Sequence, residues 1–214
     1  MRFHFLRRLI ACALSTWWLA IGDGYASTLG SLRFDHLGYD QGFVQQSIIA
    51  IAQDRQGYMW FGTQAGLVKY DGYRTTLFRS DPKDPNTLRD NYASALYVHH
   101  DGSLWIGTQS GLAMYQHSSG KFSNFLRDGK QGAIRGNYKI QAIVSDEKSG
   151  LWLGTDYGLM HFDMRSHQFV DYRNDKSISN SLRDDLITDL VTIRMIPPTT
   201  SRAIRYASCT FTCR

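Results

Sequence analysis

One element occurs three times in this chain without a gap: WFGTQAGLVKYDG from Trp60, WIGTQSGLAMYQH from Trp105 and WLGTDYGLMHFDM from Trp152. The tryptophans stand 45 and 47 residues apart. Each copy runs Trp, apolar, Gly, Thr, two variable residues, Gly, Leu, then an aromatic residue three places after the Leu. Self-similarity at a period between 20 and 50 residues limits the chain to architectures that stack one small unit against the next. A single packed core of unrelated elements is excluded.

The unit is made of strands. Upstream of each Trp lies an apolar run with a period of two followed by a turn: SIIAIAQDRQGYM, ASALYVHHDGSL and IQAIVSDEKSGL. That alternation means strand, and the Asp and Gly after it supply a tight reversal. The pairs Ala65-Gly66, Ser110-Gly111 and Tyr157-Gly158 turn the chain again, and Tyr70, Tyr115 and Phe162 end a third strand. A fourth follows in YRTTLFR (73–79), KFSNFLR (121–127) and QFVDYRN (168–174). The expected fold is therefore all-β: four-stranded antiparallel meanders of the propeller-blade kind, about three blades plus the start of another in an incomplete ring.

The repeated positions are Trp60, Gly62, Thr63, Gly66 and Leu67, with Trp105, Gly107, Thr108, Gly111 and Leu112, and Trp152, Gly154, Thr155, Gly158 and Leu159. Blades face one another across their flat sides. A large ring can cover the neighbouring sheet, and Gly62 and its counterparts let another backbone come close. Thr favours extended backbone and can satisfy a buried partner through its hydroxyl. These positions are read as structural. The competing reading, a tryptophan row serving as a sugar platform, is weaker because the same residue in every blade serves the fold first.

Charge divides the chain of 214 residues into three. The net +5 suggests an acidic partner, but residues 1–26 hold Arg2, Arg7 and Arg8 against Asp23, and residues 194–214 hold four arginines and no acid. Between them, residues 27–193 carry 17 basic and 18 acidic side chains. A nearly neutral body without a basic patch argues against nucleic acid. The first segment has the order of an export signal: basic residues, the 13-residue apolar stretch LIACALSTWWLAI, then GDGYAS with small residues before Ser27. That stretch is short for a span of about 20 residues, and no other is apolar enough, so no membrane span is expected in a mature chain on the periplasmic or secreted side. Cys12 falls in the signal and Cys209 and Cys213 in the tail, which leaves the body without a disulfide framework.

Catalytic and metal signatures are missing. No phosphate-binding loop, no H-E-x-x-H and no G-x-S-x-G elbow occurs. His99 and His100 are adjacent on an expected strand, where side chains alternate between faces, so they read as a solvated pair at a loop edge rather than a metal site. Asp54, Asp101 and Asp146 precede the tryptophans and read as turn formers. A glycosidase would need a carboxylate pair about 5 to 10 Å apart, which sequence cannot display. No cofactor, metal or catalytic residue is expected, and the ligand-binding residues stay unknown: either of the connecting segments 81–91 and 128–137 could face a ligand.

The repeated element after its Asp/Gly turn closely resembles the two-component regulator propeller repeat, over roughly Leu32 to Leu190. The opening FDHLGYDQGFVQQSI (34–48) resembles the start of such a region. The resemblance implies the periplasmic sensor part of a hybrid histidine kinase or diguanylate cyclase: signal peptide, blades, a β-sandwich domain, a membrane helix and a cytoplasmic output enzyme. NSLRDDLITDLVTI (180–193) matches NTLRDNYASALYVH (86–99) at the start of a blade, yet the expected turn and Trp do not follow. Residues 194–214 are therefore read as the product of a frame shift or premature end, or as a native tail. The implied function is ligand sensing or dimerisation without catalysis, with an extracytoplasmic ligand such as a glycan and self-association through open edges as candidate partners. A secreted carbohydrate-active hydrolase or lyase is the alternative.

Overall fold

A computed structural model describes Gly38, residues 47–126 and residues 138–191. The export segment, the 34–46 stretch apart from Gly38, the 128–137 connection and the tail from 194 lie outside the described residues. Twelve strands form three antiparallel four-stranded sheets, each in chain order. The first holds β1 (Ile48–Gln53), β2 (Met59–Thr63), β3 (Gly66–Tyr70) and β4 (Thr75–Phe78). The second holds β5 (Ala93–Val98), β6 (Leu104–Thr108), β7 (Gly111–Gln116) and β8 (Lys121–Phe125), and the third β9 (Ile140–Ser145), β10 (Gly150–Thr155), β11 (Gly158–Asp163) and β12 (Phe169–Tyr172). Each sheet is the meander expected from the repeat.

The repeat also dictates how sheets stack, because its apolar positions alternate between two faces. Trp60 and Leu67 of the first sheet meet Leu104, Ile106, Ala113 and Tyr115 of the second in one buried cluster. Trp105 and Leu112 of the second meet Leu151, Leu153, Met160 and Phe162 of the third in another. The first strands of successive sheets run side by side, β1 by β5 and β5 by β9. Register slips at one place in every sheet, between Ile48 and Ala50, between Ala93 and Ala95, and between Gly154 and Thr155. In the second sheet the residue left over, Ser94, donates its hydroxyl to the Ile140 carbonyl at 2.6 Å, tying the slip to the next sheet.

Residues 173–191 contain no strand, and within them Ile187, 47 residues after Ile140, donates its amide to the Thr155 carbonyl at 2.8 Å and buries its side chain against the third sheet. One expectation is corrected: His99 is not solvated. It is 3% exposed under the β5–β6 turn, while His100, with its ring centroid 4.0 Å away, is exposed.

Candidate functional site

Each blade is built round the same few contacts. The tryptophan lies on the fourth strand's aromatic residue of its own sheet: Trp60 on Phe78 at 5.8 Å, Trp105 on Phe125 at 5.4 Å, Trp152 by Tyr172 at 5.4 Å. The first two also meet the third-strand aromatic residue of the next sheet, Tyr115 at 4.8 Å and Phe162 at 5.6 Å. Such tilted aromatic pairs add about 0.5–1.5 kcal/mol each beyond the area they bury.

The first repeated glycine marks where the next blade crosses. A Cβ on Gly62 would stand 2.6 Å from the Ala93 carbonyl oxygen, one on Gly107 2.7 Å from Ile140, and one on Gly154 2.7 Å from Ile187. Ala93, Ile140 and Ile187 are themselves spaced by 47 residues, a periodicity in small and β-branched residues too plain to stand out beside the tryptophans. The second glycine closes the β2–β3 type of turn at positive φ, +140° at Gly66, +128° at Gly111 and +104° at Gly158, where any side chain is strained. The intervening threonine braces that turn from within. Thr63 donates its hydroxyl to the Gly66 carbonyl at 2.8 Å and accepts the Ala65 amide at 3.1 Å, and Thr108 and Thr155 repeat the arrangement.

At the opposite end of each blade, the β1–β2 type of turn shows where the sequence alignment slipped. Asp54 and Asp146 are equivalent, but the equivalent residue of the second blade is His99, not Asp101. The backbone settles it: Asp54, His99 and Asp146 each donate their amide to the carbonyl four residues on. Asp54 accepts the Gln56 and Tyr58 amides and, at 2.7 Å, the Trp60 indole N–H. In the second blade Asp101 takes the Ser103 amide and hydroxyl instead, and Ser103 passes an acceptor to the Trp105 indole at 3.0 Å. Burial raises the Asp101 pKa, but the Ser103 hydroxyl and amide and the nearby His99 outweigh it and bring the carboxyl down to about 2. Nδ1 of His99 lies 3.2 Å from Asp101 without hydrogen-bond geometry, and Nε2 has no partner among the described residues.

The described connecting segments, 80–91 and 174–185, occupy the end that carries the Thr–Gly turns. Segment 80–91 is held by its own side chains: the Ser80 amide on Asn91, the Asp81 amide on Thr87 and the Lys83 amide on Asp81. Segment 174–185 repeats this network 94 residues later, with the Asn174 amide on Asp185, the Asp175 amide on Ser181 and the Ser177 amide on Asp175. Two cation–aromatic contacts flank this end, Lys139 over Tyr92 at 5.0 Å and Arg173 over Tyr157 at 5.5 Å. Among the described residues no group of three or more His, Cys, Asp or Glu is placed to hold a metal, and no helix is long and apolar enough to cross a membrane.

Comparison with known proteins agrees with this build. The family model of the two component regulator propeller matches residues 42–65 and 87–110, spans that both end in the Thr–Gly turn of a blade. Histidine kinase P4 of Formosa agariphila is 40% identical over 47 residues, 22% of this chain and 3% of that protein. The extracellular domain of a hybrid two component system from B. thetaiotaomicron superposes with a TM-score of 0.62 at 27% identity, covering 72% of this chain and 22% of that one. The extracellular domain of a one component system from the same organism gives 0.60 at 20% identity, covering 72% and 20%. The chain spans about a fifth of the length of these solved domains. Residues 42–65 and 87–110 thus match the two-component regulator propeller repeat, and the two spans carry the first two strands of the first and second sheets.

Proposed function

We propose that this chain supplies blades of the extracytoplasmic sensory region of a bacterial transmembrane signalling receptor, and that it has no catalysis of its own. The observation that carries this reading is the 27% identical solved relative, an extracellular domain of a hybrid two component system, on which 72% of the chain superposes. The export-type segment 1–26 supports the same side of the membrane. In the intact receptor, a ligand or a change in subunit packing outside the membrane biases a two-state equilibrium that a cytoplasmic kinase or cyclase reads. Blades contribute rigid sheets, and the segments joining them contribute the variable surface. Segment 80–91 and its counterpart 174–185 present such surfaces at one end, with Tyr92 and Tyr157 beside them.

The test is to titrate the purified chain with a panel of neutral and acidic oligosaccharides, following melting temperature and release of reducing ends together. Saturable stabilisation without release is the expected result. Release of reducing ends that a single carboxylate substitution abolishes would replace this reading with a secreted hydrolase or lyase. A fusion of residues 1–26 to alkaline phosphatase, active only outside the cytoplasm, checks the side of the membrane.

A further inference from the structure

The residue facing each tryptophan across the sheet differs from blade to blade. Trp60 is opposite Lys69, Trp105 opposite Met114 and Trp152 opposite His161. Lys69 is a permanent cation, with Nζ 5.5 Å from the Trp60 ring and 3.6 Å from that of Tyr58. Met114 is neutral at any pH. His161 can be either, and its ring lies 4.7 Å from that of Trp152.

The third blade also sets a carboxylate beside that imidazole. His161 Nε2 is 2.9 Å from Asp146 Oδ2, in a pair whose side chains are 23% and 15% exposed. Asp146 Oδ1 is occupied by the Lys148 and Gly150 amides, as its counterpart Asp54 is by turn amides. The second oxygen of Asp54 takes the Trp60 indole N–H, whereas that of Asp146 faces the imidazole. Space for this contact comes from Gly150, which stands where the other blades have Tyr58 and Ser103. A Cβ on Gly150 would run into both His161 Nε2 and Asp146 Oδ2. Of the remaining neighbours, Asp163 is a second carboxylate that interacts with His161, and the cross-strand partner on β12, Val170, is uncharged.

We propose that His161, Asp146 and Gly150 form a proton-linked latch on the Trp152 face of the third blade. Proton uptake by His161 turns its hydrogen bond to Asp146 into an ion pair and places an imidazolium against the indole ring. Both contacts exist only in the folded chain, and the ion pair needs the imidazolium, so its contribution is made when His161 carries the proton and is absent when the ring is neutral. The latch rests on this geometry alone and stands whether or not the chain senses a ligand.

The full chain, His161→Gln and Gly150→Ala are compared at pH 5.5 and pH 8.0 by melting temperature and tryptophan emission. At pH 5.5 the unaltered chain should melt about 2–4 °C above His161→Gln, with the gap closing at pH 8.0. Its emission should fall on acidification as the imidazolium quenches Trp152, a change absent from His161→Gln. Gly150→Ala keeps both partners but fills the gap between them, so it should lose the same pH dependence. Equal pH dependence of emission in the unaltered chain and His161→Gln would overturn the latch. So would full retention of that dependence in Gly150→Ala, which decides the matter if His161→Gln does not fold.

Discussion

Trp60 and Trp152 hold the same place in their sheets, yet Trp60 is fully buried and Trp152 is partly exposed. The same holds one position down the pattern, where Leu67 and Leu112 are buried and Leu159 is not. Both rest on the fourth-strand aromatic residue of their own sheet, so the difference in burial comes from what lies beyond the sheet. Trp60 and Trp105 meet a whole neighbouring sheet, while the third blade is met, among the described residues, by the strandless segment 182–191 through Ile187 and Leu190. A repeat of this kind carries half of each interface, and its stability is a property of neighbours rather than of the unit.

The largest effect that would break this comparison is at the tryptophans. Trp60→Ala should cost about 3–5 kcal/mol, and Trp152→Ala less than half of that, in urea unfolding midpoints. Equal losses would mean that the own-sheet contacts dominate. Next come the crossing glycines. Gly107→Ala drives a methyl against Ile140, which is fully buried in a paired strand, and should cost about 1–3 kcal/mol. Gly154→Ala meets Ile187 at the same distance, but on a segment outside any sheet that can yield, so its cost in the same assay should be smaller.

Smaller again is the indole bond. Asp54→Ala leaves a fully buried indole N–H and two turn amides without an acceptor, at about 1–3 kcal/mol, and Ser103→Ala should cost nearer 1 kcal/mol because Asp101 still holds its turn amide. The smallest effect is acid sensitivity of the second blade's turn. The Asp101 carboxyl is lowered on folding, so its contribution is complete above its ordinary value of 3.8 and disappears as pH falls toward about 2. Melting of the full chain between pH 5 and 2 should fall more steeply than in Asp101→Asn. The difference is modest because the side chain is 56% exposed to screening solvent.

Much of this was legible in the sequence because it rests on rigid local rules. Alternation marks strands, and a Gly at positive φ with a Thr three residues before it marks a turn, so sheet order and the Trp row follow directly. What escaped was position along the β1–β2 type of turn. Asp101 precedes its glycine as an aspartate should, which drew attention from the spacing: Asp54 and Asp146 stand six residues before their tryptophans, and in the second blade that place is held by His99, as the backbone bonds confirm. Ile187 was legible as a position, since the match of 180–193 to 86–99 sets it on Ala93, but not as a contact, because its partner is the bare backbone of Gly154. The His161–Asp146 pair was hidden because its members are 15 residues apart and become neighbours only through strand register.

The hydrogen bonds of segment 80–91 close largely on the segment itself, as do those of its copy at 174–185. The sheet that follows then clamps the first of them from outside, where Phe122 donates its amide to the Asn86 carbonyl and Asn124 its side-chain amide to those of Pro85 and Thr87. Such a linker is a hinge locked from two sides, so that a substitution which frees its inner bonds still leaves the outer ones to aim the next sheet.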